Sequence, residues 1–332
     1  MASRSVFVYD PLNVESDLLG RWGLDFTFGV PVWATGQARA KMNSEDFIKS
    51  ALGHDAVLGA SGALVTRDIM EALPDLRFIA KLGIGYEVID VVAATDCGIV
   101  VTNTPMHSEV DLVAEHAVAL ILACVKQFHW YNTPYVKSGG WRDPEHLVGT
   151  LKGSTVGIVG FGNIGQAVAR RLVPFCQEIL TYDVREIAHF EHVSQVSLEE
   201  LLERSDVVTL HAPPAPGGPL LDRQRLTSMK KNAILINTAR GALVDGRALS
   251  DLLTSGHLAG AGADVFAPEP PPDDDPLVNA PNTYLTPHVA AWNADIRVEM
   301  VELALSSLAM LFDGEIPPTV INPEVFEKGI RA

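Results

Sequence analysis

Short apolar runs alternate with amphipathic helical patterns along almost the whole chain, as in βα units that build parallel sheets. In the first third, runs at 5–9, 55–58, 78–82 and 99–103 predict strands, with helices near 44–52, 68–73 and 88–96. A longer helix then starts with Ser108 and Asp111 in S-x-x-D spacing. Val113, Ala114, Ala117, Leu120, Ile121 and Cys124 give it an apolar face. This helix is expected to carry the chain between lobes.

From residue 155 the alternation is cleaner, with apolar runs at 155–159, 179–182, 207–210, 233–237, 258–263 and 283–285 that suit a doubly wound sheet. Helices are predicted at 163–172, at 197–205, where Ser197 and Glu200 form a capping box, and at 247–255. Segment 267–276, APEPPPDDDP, is predicted as a surface loop, because its prolines remove donors and its aspartates repel. The last helical pattern, from 294 to about 314, lies beyond the sixth strand and is expected to return to the first lobe. The fold class is therefore α/β with two parallel-sheet lobes, and 332 residues suit two domains of about 100 to 200 each.

Composition narrows the function. The chain is 47% apolar with a 20% charged fraction mixed in, enough for a sizeable core. Twenty-five Lys and Arg against 41 Asp and Glu leave a charge of −16, which opposes binding to a phosphate backbone, so no nucleic-acid partner is expected. Three cysteines without CxxC spacing indicate neither a disulfide framework nor a zinc site, and no metal is expected; a reducing cytoplasm fits. The first residues, MASRSVFVYDPL, are too polar for a secretory segment, and the greasiest stretch, 117–125, is about half a membrane span. A soluble protein with no membrane partner is expected.

The candidate chemistry begins at TVGIVGFGNIGQAVARRL, which sets Gly160, Gly162 and Gly165 between an apolar strand and a helix. Gly160 allows a tight turn, Gly162 lets backbone approach a pyrophosphate, and Gly165 lets helix and strand pack closely. Asn163 and Ile164 open the helix whose N–H donors face the phosphates. Asp183, about 20 residues on at the end of the next strand, can accept from both adenosine ribose hydroxyls and would repel a 2′-phosphate, favouring NAD over NADP. Arg185 keeps NADP open.

Ligands of such sheets sit outside the carboxyl ends of the strands, where three further residues differ in chemistry: Arg240 in INTARGALVD, Glu269 in GADVFAPEP and His288 in TPHVAAW. An arginine fork binds a carboxylate, a histidine donates and accepts a proton near neutrality, and a neighbouring carboxylate fixes its tautomer. Together these suit reduction of a 2-keto acid, or oxidation of a 2-hydroxy acid. Singly, Arg240 could pair with Asp245, Glu269 could be a solvated acid and His288 a helix-entry residue.

The series VGIVGFGNIG, LINTARGALVD, GADVFAPEP and TPHVAAW resembles the D-isomer-specific 2-hydroxyacid dehydrogenase family, which includes phosphoglycerate dehydrogenase and glyoxylate/hydroxypyruvate reductases. The resemblance implies a Rossmann NAD-binding domain, 107–288, inserted into a flavodoxin-like substrate domain, 1–106 and 289–332, and assembly as a homodimer. It implies that Arg240 binds the substrate carboxylate, that His288 is the acid/base and that Glu269 tunes it. It assigns Ile84 and Gly85, in KLGIG, to the substrate carboxylate. His211, Ala212, Pro213, Thr238 and Ala239 are assigned to the cofactor wall, and Asp264 to a place near the nicotinamide carboxamide. The GGW stretch at 139–141 resembles a dimer-contact arm, with a buried core tryptophan as the other reading. PPAPGGPLLD departs from the family's threonine-containing stretch and removes side-chain hydroxyls there. Trp292 and Met106 are candidates for the substrate pocket or for core.

Two other functions stay open on the same scaffold. One is an NAD-sensing role like that of the C-terminal binding protein corepressors, disfavoured by the expected lack of a disordered tail and of a basic stretch. The other is a formate or phosphite dehydrogenase, disfavoured because formate enzymes carry glutamine where Glu269 stands.

Overall fold

The computed structural model describes residues 4–29, 42–60 and 63–331. It divides into two compact units, Met1–His107 with Asn293–Ala332, and Ser108–Trp292. The first unit runs β1 (Ser5–Val8), α1 (Ser16–Leu19), β2 (Asp25–Phe28), α2 (Ser44–Ala51), β3 (Ala56–Gly59), α3 (Arg67–Ala72), β4 (Phe78–Lys81), α4 (Val91–Asp96) and β5 (Val100–Thr102). The second runs α5 (Ser108–Val125), α6 (Thr133–Lys137), β6 (Thr155–Val159), α7 (Asn163–Leu172), β7 (Glu178–Tyr182), β8 (Val193–Gln195), α8 (Leu198–Arg204) and β9 (Val207–Leu210). It continues with α9 (Arg223–Ser228), β10 (Ile234–Asn237), a 3₁₀ turn (Gly241–Leu243), α10 (Gly246–Thr254), β11 (Gly260–Ala263) and β12 (Thr283–Leu285). Helices α11 (Ala294–Phe312) and α12 (Val325–Lys328) complete the first unit.

In the first unit the strands lie in the order β2-β1-β3-β4-β5, all parallel. β1 sends Val6 and Val8 into a core shared with Leu305 and Leu308 of α11, while Phe7 and, just after the strand, Tyr9 enter another with Phe47 and Ile69. Covered on both faces, such strands are near-continuous apolar runs, and that makes them readable in sequence. The edge strand β2, DFTF, was not among the predicted strands. It alternates exposed and half-buried residues, and pairing with β1 is what defines it. α4 begins later than the pattern suggested, because the Asp90 side chain caps it by accepting from Ala93 N–H.

The second unit holds seven parallel strands among the described residues, in the order β12-β11-β10-β9-β6-β7-β8. The strand absent from the prediction is β8, another short, largely exposed edge strand. α5 opens this unit and packs on β10, β11 and β12. The small residues of β11, GAGA, fit that packing: a Cβ on Gly262 would lie 2.8 Å from Ile236 Cδ1 and 3.1 Å from Leu120 Cβ. The chain passes from β6 to β7 on one side and then to β9 on the other, so the sheet's switch point lies between β6 and β9. A crevice is expected there, at the carboxyl ends. The proline- and aspartate-rich segment carries neither helix nor strand. Among the described residues no helix is long and apolar enough to cross a membrane, and Cys97, Cys124 and Cys176 are free.

Candidate active site

The crevice is lined first by the glycine loop. Gly160 has φ +89°, and a Cβ there would lie 2.7 Å from the backbone of His211 and Ala212, just beyond β9. Turn and close approach both require glycine. A Cβ on Gly165 would run into the Gly160 carbonyl oxygen, so this glycine sets α7 against the end of β6. Gly162 differs: nothing lies within 4 Å of its Cβ position, and no side chain caps α7. Open space beside the N–H groups of an uncapped helix start fits a pyrophosphate.

Asp183 follows β7 with its side chain only 10% exposed. Oδ2 accepts from Phe161 N–H at 2.8 Å and Oδ1 from Arg185 N–H at 3.0 Å. Burial would raise its pKa, but these donors and the Arg185 guanidinium outweigh that and hold the carboxyl below its ordinary value. The acid thus stays ionised and is tied to the glycine loop. A depression of about 330 Å³ beside it is lined by Phe161, Gln166, Arg185, His189 and Phe190.

At the end of β9, His211 Nε2 meets Thr209 Oγ1 at 2.9 Å, while Nδ1 is buried without a partner. Burial pushes this imidazole down to about 3, so the ring is neutral. Thr238 Oγ1, after β10, is also buried and unpartnered. Two orphaned polar atoms at neighbouring strand ends, near an open glycine loop, fit a dinucleotide with hydrogen-bonding groups of its own. Asn237 shapes the next turn: its Oδ1 accepts from Ala239 N–H at 3.1 Å and its Nδ2 donates to Arg240 O at 2.8 Å.

Arg240, Glu269 and His288 come together. A Cβ on Gly241 would run into the Phe266 backbone, so the turn carrying Arg240 lies directly against the turn carrying Glu269. Arg240 Nη1 donates to Ala239 O at 2.7 Å. Glu269 Oε1 accepts from Phe266 N–H at 3.0 Å, and Oε2 stands 2.7 Å from His288 Nδ1. Burial raises the Glu269 pKa, but His288, Phe266 N–H and the Arg240 charge together carry it below the ordinary value. With a carboxylate as its partner, Nδ1 carries hydrogen, and Nε2 is the nitrogen left to exchange a proton with a ligand. The His288 side chain is 54% exposed.

Asp264, expected beside the cofactor's carboxamide, is wholly buried and committed to the loop that bears His288. Its Oδ1 accepts from Thr286 Oγ1 at 2.6 Å and Val289 N–H at 2.8 Å, and its Oδ2 from Ala290 N–H at 2.9 Å. His116 Nε2, on α5, lies 2.9 Å from Thr286 Oγ1. Neither His116 nor Thr286 is expected from the sequence as a site residue. Thr286 stands two residues before His288 and could have been suspected, but nothing local marks His116, 170 residues away.

In the first unit, the turn after β4 has Gly83 at φ +102°, its N–H donating to Thr104 Oγ1 at 2.6 Å, while Asn103 Nδ2 donates to Ile84 O at 2.8 Å. Ile84 is exposed and Gly85 half-buried. Met106 is buried, whereas Trp292 is half exposed. Trp141 is 74% exposed, and Phe128, Val136, Leu147 and Val148 nearby in sequence are exposed as well.

The family model for the NAD binding domain of D-isomer specific 2-hydroxyacid dehydrogenases matches residues 118–290. A glyoxylate reductase of Korarchaeum cryptofilum is 41% identical over 279 residues, 82% of this chain and 83% of that one. Among solved structures, a glyoxylate reductase from Paecilomyes thermophila matches with TM-score 0.82 and 28% identity, covering 98% of this chain and 99% of that chain. An NAD-dependent formate dehydrogenase from Staphylococcus aureus, in complex with NAD, matches with TM-score 0.83 and 28% identity over 96% of this chain and 98% of that one.

Proposed function

Because the chain belongs to the D-isomer specific 2-hydroxyacid dehydrogenase family, and is an NAD-dependent oxidoreductase of that kind, we propose that it reduces a small 2-keto acid of the glyoxylate or hydroxypyruvate class. The observation that carries this reading is the 2.7 Å contact between His288 and an ionised Glu269, beside a turn that bears Arg240. Bound NADH supplies a hydride to the carbonyl carbon. His288 Nε2 gives its proton to the carbonyl oxygen, completing the alcohol, and regains one from water. Glu269 keeps hydrogen on Nδ1 and steadies the charged ring before transfer. Arg240 holds the substrate carboxylate through its fork, and the turn containing Ile84 and Gly85 is assigned to substrate binding.

For the cofactor, the N–H groups of Asn163 and Ile164 at the start of α7 face the pyrophosphate, Asp183 takes the adenosine ribose, and His211, Ala212, Pro213, Thr238 and Ala239 form the wall. The first unit is assigned as the substrate domain. The exposed apolar side chains around Trp141 support a homodimer, and the free cysteines support a cytoplasmic setting. His288→Ala should lower turnover of glyoxylate or hydroxypyruvate at least about 100-fold while NADH affinity barely changes, since general acid catalysis contributes roughly 10² to 10⁴. Undiminished turnover in that variant refutes the assignment.

A further inference from the structure

The loop that carries His288 is held from beneath at several points by one residue. Asp264 accepts the His288 N–H through its backbone oxygen at 2.8 Å, and its carboxylate takes Thr286 Oγ1, Val289 N–H and Ala290 N–H. His288 itself has φ +53°, a left-handed conformation that a non-glycine residue keeps only when its surroundings enforce it. The aim of the imidazole therefore depends on how firmly Asp264 is satisfied.

Thr286 has one hydroxyl hydrogen. At 2.6 Å from Asp264 Oδ1, an acceptor only, that hydrogen points at the carboxylate. The Thr286 oxygen must then accept from His116 Nε2 at 2.9 Å, which fixes His116 in the tautomer with hydrogen on Nε2. The same nitrogen lies 3.6 Å from Asp264 Oδ1. His116 sits on α5, whose Leu120 is packed close against Gly262 of β11, two residues before Asp264. Its donor is thus delivered from a helix fixed to the sheet.

We infer that His116 is a positioning residue for His288, acting through the Thr286 hydroxyl and the Asp264 carboxylate to seat residues 286–290. This rests on the reading of His288 as the acid/base. Without the His116 N–H, the Thr286 oxygen loses the donor that fixes its lone pairs, and its hydrogen is no longer held toward Asp264. The buried carboxylate is then under-satisfied, and the loop has a reason to open. Arg240, which holds the substrate carboxylate, lies on another turn and keeps its bond to Ala239 O.

The test uses the full-length enzyme as His116→Leu, His116→Gln, Thr286→Val and the Leu/Val double variant. Two readouts are followed: steady-state reduction of glyoxylate by NADH, and amide hydrogen exchange without ligand at Val289 and Ala290, with Leu235 in β10 as reference. His116→Leu should lower kcat about 10- to 100-fold, as small misplacements of a reacting group do, with the KM for NADH unchanged. Exchange at Val289 and Ala290 should quicken about tenfold or more while Leu235 holds. His116→Gln, whose amide nitrogen reaches as far as Nε2, should restore both. Thr286→Val should match His116→Leu, and the double variant should be no worse than either.

Unchanged kcat and exchange in His116→Leu overturn the inference, as does exchange that quickens equally at Leu235 or losses that add in the double variant. If His288→Ala keeps full activity, the acid/base reading fails instead. The exchange experiment needs no turnover and still decides whether His116 seats the loop.

Discussion

Replacing His211 by glutamine should remove a specific sensitivity to acid. In the folded protein burial pushes this imidazole down to about 3, with Nδ1 shut away from any partner. Unfolded, it returns to the ordinary value of about 6.5. The folded value is the lower, so the unfolded chain takes up the proton first. The group costs nothing above about pH 6.5, and stability is lost as pH falls from there toward 3. At pH 4.5 the unfolded imidazole is about 99% charged and the folded one almost wholly neutral. Two pH units at about 1.4 kcal/mol each come to roughly 3 kcal/mol. Urea unfolding of the wild type and His211→Gln at pH 7 and pH 4.5 checks this. Carboxylates titrate alike in both proteins and cancel in the difference. Glutamine keeps a polar group for the Thr209 hydroxyl. With a urea slope of about 3 kcal/mol per molar, the wild-type midpoint should fall about 1 M further than that of the variant. Equal falls would refute the burial of a neutral ring.

Three further outcomes are expected. Arg240→Lys should lower kcat/KM for keto acids while NADH binding holds, because a point charge cannot replace the bidentate fork; an unchanged specificity constant counts against the assignment. Asp183→Ala, which removes an ionised acceptor bonded to Phe161 N–H, should narrow the preference for NADH over NADPH in paired kinetic assays, and a fixed preference contradicts its role. Trp141→Glu should shift the protein toward monomer in sedimentation at micromolar concentration if the exposed apolar side chains around it form the homodimer contact; an unaltered mass places that contact elsewhere.

The sequence determined what depends on local pattern. Strands covered on both faces, such as β1, β6 and β10, are apolar except for one polar residue at an end, and the spacing of Gly160, Gly162 and Gly165 follows from one turn and one packing contact. Arg240, Glu269 and His288 could be nominated because each follows a strand whose carboxyl end must face the crevice. Tertiary structure alone decided the rest. The edge strands β2 and β8 are four and three residues long and take their form from pairing with a neighbour, too short for alternation to mark them in sequence. That Glu269 stays ionised depends on His288, Phe266 N–H and Arg240 meeting around it. That Asp264 faces inward, and that His116 reaches it through Thr286, depends on α5 lying against β11. A hydrogen bond between residues far apart in the chain leaves no periodicity behind, since each partner's neighbours are chosen for different packing.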